Sequence, residues 1–199
     1  MKILSKKPLC TLIVGILSTL ALSGCSMTGE PQPTIAPVQK EALSQTVLDD
    51  YALLPGHVLY QAADGSYSIQ LPEGCSINDA DFSNVSVTME TDLGTPNNLN
   101  IQYVKDAEVI DAESKLMEML KDDDSIDITA FYVLKKDGMY EGYKYTCTAT
   151  NDANFKSIKS VYFSDDRSAF IITASSPNGN DDINMTNLNT IVDTFINYK

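Results

Sequence analysis

The sequence predicts an α+β domain: a mainly antiparallel sheet of six or seven strands flanked by helices in an α-β-α sandwich. Three observations carry this. Apolar and polar residues alternate in short runs, as in Tyr67, Ile69 and Leu71 against Ser66, Ser68 and Gln70. Turn signals such as Asp64-Gly65 separate those runs. Only two stretches of the domain have helical spacing, Leu116, Met119 and Leu120 midway and Met185, Leu188, Ile191, Val192, Phe195 and Ile196 at the end.

The chain begins with three parts in a diagnostic order. Lys2, Lys6 and Lys7 form a positive leader, Leu9 to Leu22 is mostly apolar, and small residues close the run. That is the pattern of a secretory signal peptide over residues 1–24. The run is shorter than the ~20 apolar residues a membrane-spanning helix needs. Its last residues, Leu22-Ser23-Gly24-Cys25, resemble the lipobox of bacterial lipoproteins. The resemblance implies that the Cys25 thiolate takes a diacylglyceryl group, that a peptidase cuts before it, and that its amine is often acylated too. The expected place is the cell membrane, lipid-anchored on the extracytoplasmic face, or the outer membrane if the host has one, since Ser26 follows the cysteine. Each buried methylene contributes ~0.8 kcal/mol, so one acyl chain holds marginally and two or three hold durably.

Residues 25–37 include Pro31, Pro33 and Pro37, which favour an extended tether. At ~3.1 Å per residue it could hold a domain about 35 Å above the bilayer. Residues 38–56 form a lead-in in which Val38, Ala42, Leu43, Val47, Leu48 and Tyr51 are loosely helix-spaced, ending before Pro55-Gly56.

The folded domain is expected over residues 57–199, enough chain to bury roughly two-thirds of its surface. Strands are predicted at Val58 to Gln61 and Ser66 to Leu71, then where Val85, Val87 and Met89, and Leu99, Ile101 and Tyr103, alternate with polar residues. A helix over Ala112 to Lys121 follows, with Asp111 as N-cap and Asp122-Asp123-Asp124 ending it. In the next strand Ile126, Ile128, Ala130, Tyr132 and Leu134 share one face. Lys135 to Gly138 turns the chain into a strand whose Tyr143, Tyr145, Cys147 and Ala149 oppose Lys144, Thr146, Thr148 and Thr150. Ile158 to Ser164 is a further strand. Ala169 to Ala174, apolar on both faces, reads as a central strand covered twice.

Tyr67-Ser68-Ile69-Gln70-Leu71-Pro72-Glu73-Gly74, an aromatic-led strand ending in Leu-Pro-x-Gly, is similar to the opening of PsbP-like domains. The later order of hairpins, a helix, a meander and a closing amphipathic helix is similar too. Where that family often has tryptophan after the motif, this chain has Cys75, and it has no tryptophan anywhere. The resemblance implies a binding or accessory module without shared catalytic residues.

Charge narrows the partners. Removing the three leader lysines takes the net charge from −13 to −16. Nucleic acid needs a basic footprint and is excluded. An anionic bilayer repels such a domain, which leaves attachment to the lipid on Cys25. The acidity either keeps an exported protein soluble or matches cations and basic partners.

Catalytic residues are hard to find. His57 is the only histidine, so any Ser-His-Asp or Cys-His arrangement would have to use it, and no Gly-x-Ser-x-Gly elbow exists. Histidine-based zinc sites are excluded by count. No cofactor is called for. An envelope hydrolase using two carboxylates is the alternative function, although acids this plentiful single out no pair. Asp122-Asp123-Asp124 and Asn178-Gly179-Asn180-Asp181-Asp182 offer oxygen ligands but lack the spacing of a calcium loop, and solvated turns account for them equally. Cys75 and Cys147 form either a disulfide, contributing about 3 to 4.5 kcal/mol on the chain-entropy account, or two free thiols. Tyr132, Tyr140, Tyr143, Tyr145 and Tyr162 are either a recognition surface or core packing. A lipid-tethered module that binds an envelope protein is the function the sequence supports.

Overall fold

The computed structural model describes residues 52–198 apart from 82, 137, 165 and 166. The leader, Cys25, the tether and residues 38–51 of the lead-in lie outside the described residues. The described elements run β1 (His57–Gln61), β2 (Tyr67–Pro72), β3 (Ser76–Asn78), β4 (Asn84–Met89), β5 (Asn97–Val104), α1 (Glu113–Leu120), β6 (Ile126–Lys136), β7 (Met139–Ala149), β8 (Asp152–Phe163), β9 (Ala169–Ser176), α2 (Asp182–Asp193) and β10 (Ile196–Asn197).

These strands make two antiparallel sheets. The large one has seven strands in the order β3-β4-β5-β9-β8-β7-β6, and the small one has three in the order β1-β2-β10. The expected α+β class is what the structure has. β9 lies between β5 and β8, with Ile172 opposite both Ile101 and Ser160. Its Ala169, Phe170, Ile171, Ile172 and Ala174 are all buried, because apolar side chains on both faces of a strand need cover on both.

The two covers differ. On one face Ile110 and α1 residues Leu116 and Leu120 pack on Tyr143, Tyr145, Cys147, Val161 and Ile171. On the other, the small sheet and α2 enclose Leu99, Ile101, Ile158, Phe170 and Ile172. Aromatic rings knit this second core: Tyr67 lies 5.2 Å from Phe170 and 5.4 Å from Phe195, and Tyr162 lies 4.9 Å from Phe195. Such pairs add about 0.5–1.5 kcal/mol each beyond area burial.

Several expectations are corrected. The polar face of β2 is not wet: Ser66, Ser68 and Gln70 are buried. Gln70 N donates to Thr194 Oγ1 at 2.9 Å, its Oε1 accepts from Leu54 N at 2.7 Å, and Ser68 Oγ bonds the Tyr198 hydroxyl at 2.8 Å. Each polar group there has found a partner, which is what burial demands. The final helix ends at Asp193, and Ile196 belongs instead to β10, paired with Ser68. Thr194 closes the helix, its N–H donating to Ile191 O.

The N-cap of α1 is Ala112, in extended backbone and without a side-chain cap, while Asp111 is engaged with Lys115 Nζ at 3.3 Å. Along β6 the five residues expected on one face are split. A register shift between Ile128 and Ala130 turns Ile126 and Ile128 toward the α1 side, whereas Ala130, Tyr132 and Leu134 pair with Thr146, Lys144 and Gly142 on the other. One extra residue in a strand reverses the pleat beyond it. β8 begins earlier than expected, at Asp152, and β3 was not legible at all.

Candidate binding groove

β6, β7 and β8 extend past the cover given by α2, leaving a groove of about 760 Å³ between the helix and the open sheet face. Its floor follows from strand register. Tyr132 sits opposite Lys144, Ala130 opposite Thr146 and then Ile158, and Asp127 opposite Thr148 and then Lys156. The wall is the α2 row Asp182, Met185, Thr186 and Asn189, spaced three or four apart as one helical face must be.

The wall is fixed at both ends. Asp181 caps α2, its side chain accepting from Asn184 N at 2.7 Å. Asn184 Nδ2 then donates to Ser176 Oγ at 2.7 Å, and Asn97 Nδ2 donates to Asn184 Oδ1 at 2.7 Å, so a buried amide network ties the helix start to β5 and β9. At the far end Lys144 Nζ donates to Asp193 Oδ1 at 2.6 Å and to Asn189 Oδ1 at 3.1 Å. The Lys144 side chain is only 12% exposed, so this ion pair links sheet to helix with less solvent screening than a surface pair has.

Tyr132 is the groove's exposed ring, 56% accessible, with Lys144 Nζ 6.0 Å from its centroid. Of the five tyrosines raised as a recognition surface, Tyr143 and Tyr145 are buried under α1, and Tyr140 and Tyr162 are half-buried. Burial pushes the Tyr140 and Tyr162 hydroxyls up to about 12 and Tyr143 higher still, and it raises Tyr145 well above the ordinary value of 10. Tyr132 alone of the five is left at the surface. The reversal of β6 at Thr129 decides its orientation, and no residue type in the strand announces that bulge.

The other candidates fall apart as sites. His57 Nδ1 is 2.9 Å from Pro55 O, a local turn contact. Cys75 packs against the core of the small-sheet face and Cys147 is buried on the α1 face. Both thiols are free, so the considered bridge does not form across the sheet that separates them. Burial raises the Cys147 thiol to about 11 and raises Cys75 as well, the reverse of an activated nucleophile.

The asparagine-rich turn spends its side chains on the fold: Asn178 Nδ2 donates to Thr95 Oγ1 and Asn180 Nδ2 to Asn154 Oδ1. In the triple-aspartate run, Asp123 Oδ1 accepts from Ser125 N and Oγ. No group of three or more His, Cys, Asp or Glu that could hold a metal occurs among the described residues. Asp81 is held below the usual carboxylate range by hydrogen bonds from Ser83, the opposite of what a general acid requires. No described helix is long and apolar enough to cross a membrane.

No family model and no curated protein matches this chain. Solved structures do. The solution structure of cyanobacterial PsbP (CyanoP) from Synechocystis sp. PCC 6803 is similar over 73% of this chain and 94% of its own, with 13% identity and a TM-score of 0.48. A Pseudomonas aeruginosa protein of unknown function, PA94, is similar over 72% and 98%, with 10% identity and a TM-score of 0.48. A Bacteroides thetaiotaomicron structure is similar over 72% of this chain and 48% of its own, with 12% identity and a TM-score of 0.37. PsbP is thus among the structural neighbours, and likeness at this level says nothing of ligand or activity.

Proposed function

We propose that the chain is a bacterial lipoprotein whose PsbP-like domain acts outside the cytoplasm as a binding or accessory module for an envelope protein. The observation that carries the binding role is the groove, a fixed and solvent-open concavity beside an exposed Tyr132. An aromatic side chain with one dry and one wet side suits recognition. The anchoring rests on the Leu22-Ser23-Gly24-Cys25 motif, with two or three acyl chains on Cys25 holding the protein at the bilayer. A charge of −16 beyond the leader keeps the domain off an anionic lipid surface, so the tether and not the polypeptide makes the membrane contact.

The test uses the native host. Wild-type protein takes up a clickable palmitate analogue and partitions into the detergent phase, while Cys25→Ser loses both label and membrane association. A photoreactive residue at position 132 traps one protein reproducibly. Unlabelled Cys25 with the protein in the soluble fraction removes the anchored reading. Turnover of a cell-wall glycan abolished by replacing particular acids establishes the hydrolase in place of the binding module.

A further inference from the structure

The turn that leads into α2 has the makings of a reaction that the chain carries out on itself. Asn178 is the only asparagine in the sequence followed by glycine. Where the following residue has no Cβ, its backbone nitrogen can swing onto the asparagine side chain with little steric opposition. The deprotonated Gly179 nitrogen attacks Asn178 Cγ. The N–Cγ bond forms, the Cγ–Nδ2 bond breaks, and Nδ2 leaves as ammonia with the proton that the backbone nitrogen gave up. Water then opens the cyclic imide at one of its two carbonyls. One opening leaves aspartate at position 178, the other isoaspartate, in which the main chain runs through Cβ and Cγ.

The fold engages both partners of that reaction. Gly179 N donates to Asn154 O at 2.6 Å, so the attacking nitrogen is committed to β8. Asn178 Nδ2 donates to Thr95 Oγ1 in the β4–β5 loop, so the amide under attack is tied on the other side. Gly179 is buried and Asn178 half-buried. A Cβ on Gly179 would lie 2.5 Å from Lys156 Cβ and 2.7 Å from Asn154 O, which leaves the turn little room to shift in place. Reaction therefore waits for the turn to open as a unit.

The same turn fastens α2. Asn178 O accepts from Asp181 N at 3.1 Å and from Asn184 Nδ2 at 3.4 Å, and Asp181 caps the helix. Isoaspartate adds one main-chain atom between these contacts and those of Gly179 with β8, and it turns the Asn178 carbonyl into a free carboxylate. We propose that Asn178 is a self-modification site, a deamidation clock that the folded turn holds still and that, once run, releases the first turn of α2 and with it the groove wall at Asp182 and Met185. The chemistry needs only water and this chain's own atoms, and it is independent of what the groove receives.

The test uses the full chain with its lipid in neutral detergent, kept at mildly alkaline pH and sampled over days. Peptide mass spectrometry follows conversion at each asparagine, and a protein isoaspartate methyltransferase reports the isoaspartate product. In urea Asn178 is the first asparagine to react. In the folded protein it reacts about tenfold more slowly, or slower still, because the turn must first open. Thr95→Ala speeds the folded-state reaction severalfold and leaves the urea midpoint and the rate in urea unchanged. Folded protein enriched in the isoaspartate form exchanges the Asn184 and Met185 amide hydrogens roughly tenfold faster than intact protein, with exchange in β5 unaltered. Asn178→Asp, which has the charge without the extra main-chain atom, stays within severalfold of the intact chain. Equal rates at Asn178 in folded and unfolded protein, earlier reaction of another asparagine in urea, or a Thr95→Ala variant no faster than its folded parent overturns the proposal. So does an isoaspartate form whose α2 amides exchange at the intact rate.

Discussion

Lys159 on β8 stands directly opposite Tyr145 on β7, its Nζ 5.9 Å from the centroid of the tyrosine ring, and is only 4% exposed. An ammonium so placed has lost its water. Burial pushes its pKa down, and the nearby Cys147 thiol and Asp123 carboxylate offset that only in part.

Replacing Lys159 with methionine, which keeps the stem and drops the charge, is expected to shift the unfolding free energy by less than about 1 kcal/mol in either direction. Lys159→Glu is expected to cost about 3 kcal/mol or more, because it leaves an unpaired anion under α1 near Asp123. Urea denaturation followed by far-ultraviolet circular dichroism measures both. A methionine variant as damaged as the glutamate variant would mean that the charge itself holds the fold.

Stability is expected to fall on the alkaline side. Tyr60 is raised to about 12 by burial and by the Asp79 carboxylate, Tyr140 and Tyr162 to about 12, and Cys147 to about 11, against ordinary values of 10 for tyrosine and 9 for cysteine. Each raised group contributes stability that is complete below its unfolded pKa and is lost as pH rises through the folded one. Lys159, lowered, acts in the opposite sense: its cost is full at lower pH and eases toward 10.5, but it is one group against several. The urea midpoint should hold up to about pH 9 and decline from there to pH 12, with the tyrosinate absorbance rising along with unfolding. A midpoint flat across that interval would refute the burial of these hydroxyls.

Gly142 admits no side chain. A Cβ there would lie 1.8 Å from Val161 O, the backbone of its neighbouring strand. Gly142→Ala is expected to cost about 3 kcal/mol, since a backbone oxygen in a paired strand yields poorly. Gly179→Ala meets the Lys156 side chain at 2.5 Å and Asn154 O at 2.7 Å, and should also destabilise the α2 end of the groove. Thermal melts of the two variants provide the check.

The start of α2 should depend on one carboxylate. Asp181→Ala removes the acceptor for Asn184 N and is expected to cost about 1 kcal/mol. Asn184→Ala also empties the buried amide network with Asn97 and Ser176, leaving polar atoms without partners, and should cost more, about 2–3 kcal/mol. Equal losses in the two variants would contradict the network's role.

Much of this fold is legible because its patterning is local. The alternation in β4, β5 and β7 and the two-faced apolar run of β9 announce themselves residue by residue, as does the inner face of α2. What escapes is set by partners distant in sequence. Ser68 and Gln70 look solvent-facing until Tyr198, Thr194 and Leu54 are placed over them. Tyr132 looks like a core companion of Ile128 until the bulge separates them. The groove was half visible: the lysine-rich stretch from 135 to 159 can be read from the sequence, but the α2 wall opposite cannot.

The small sheet is completed by residues near the far end of the domain. Ser68 and Tyr198 bond across 130 positions of sequence, and β10 supplies the third strand beside β2. A chain delivered N-terminus first from a ribosome holds β1 and β2 without their third strand until Ile196 and Asn197 emerge. Closure of the small sheet is therefore a late event in the folding of this domain, and its early hairpin is the part that stays without a partner longest.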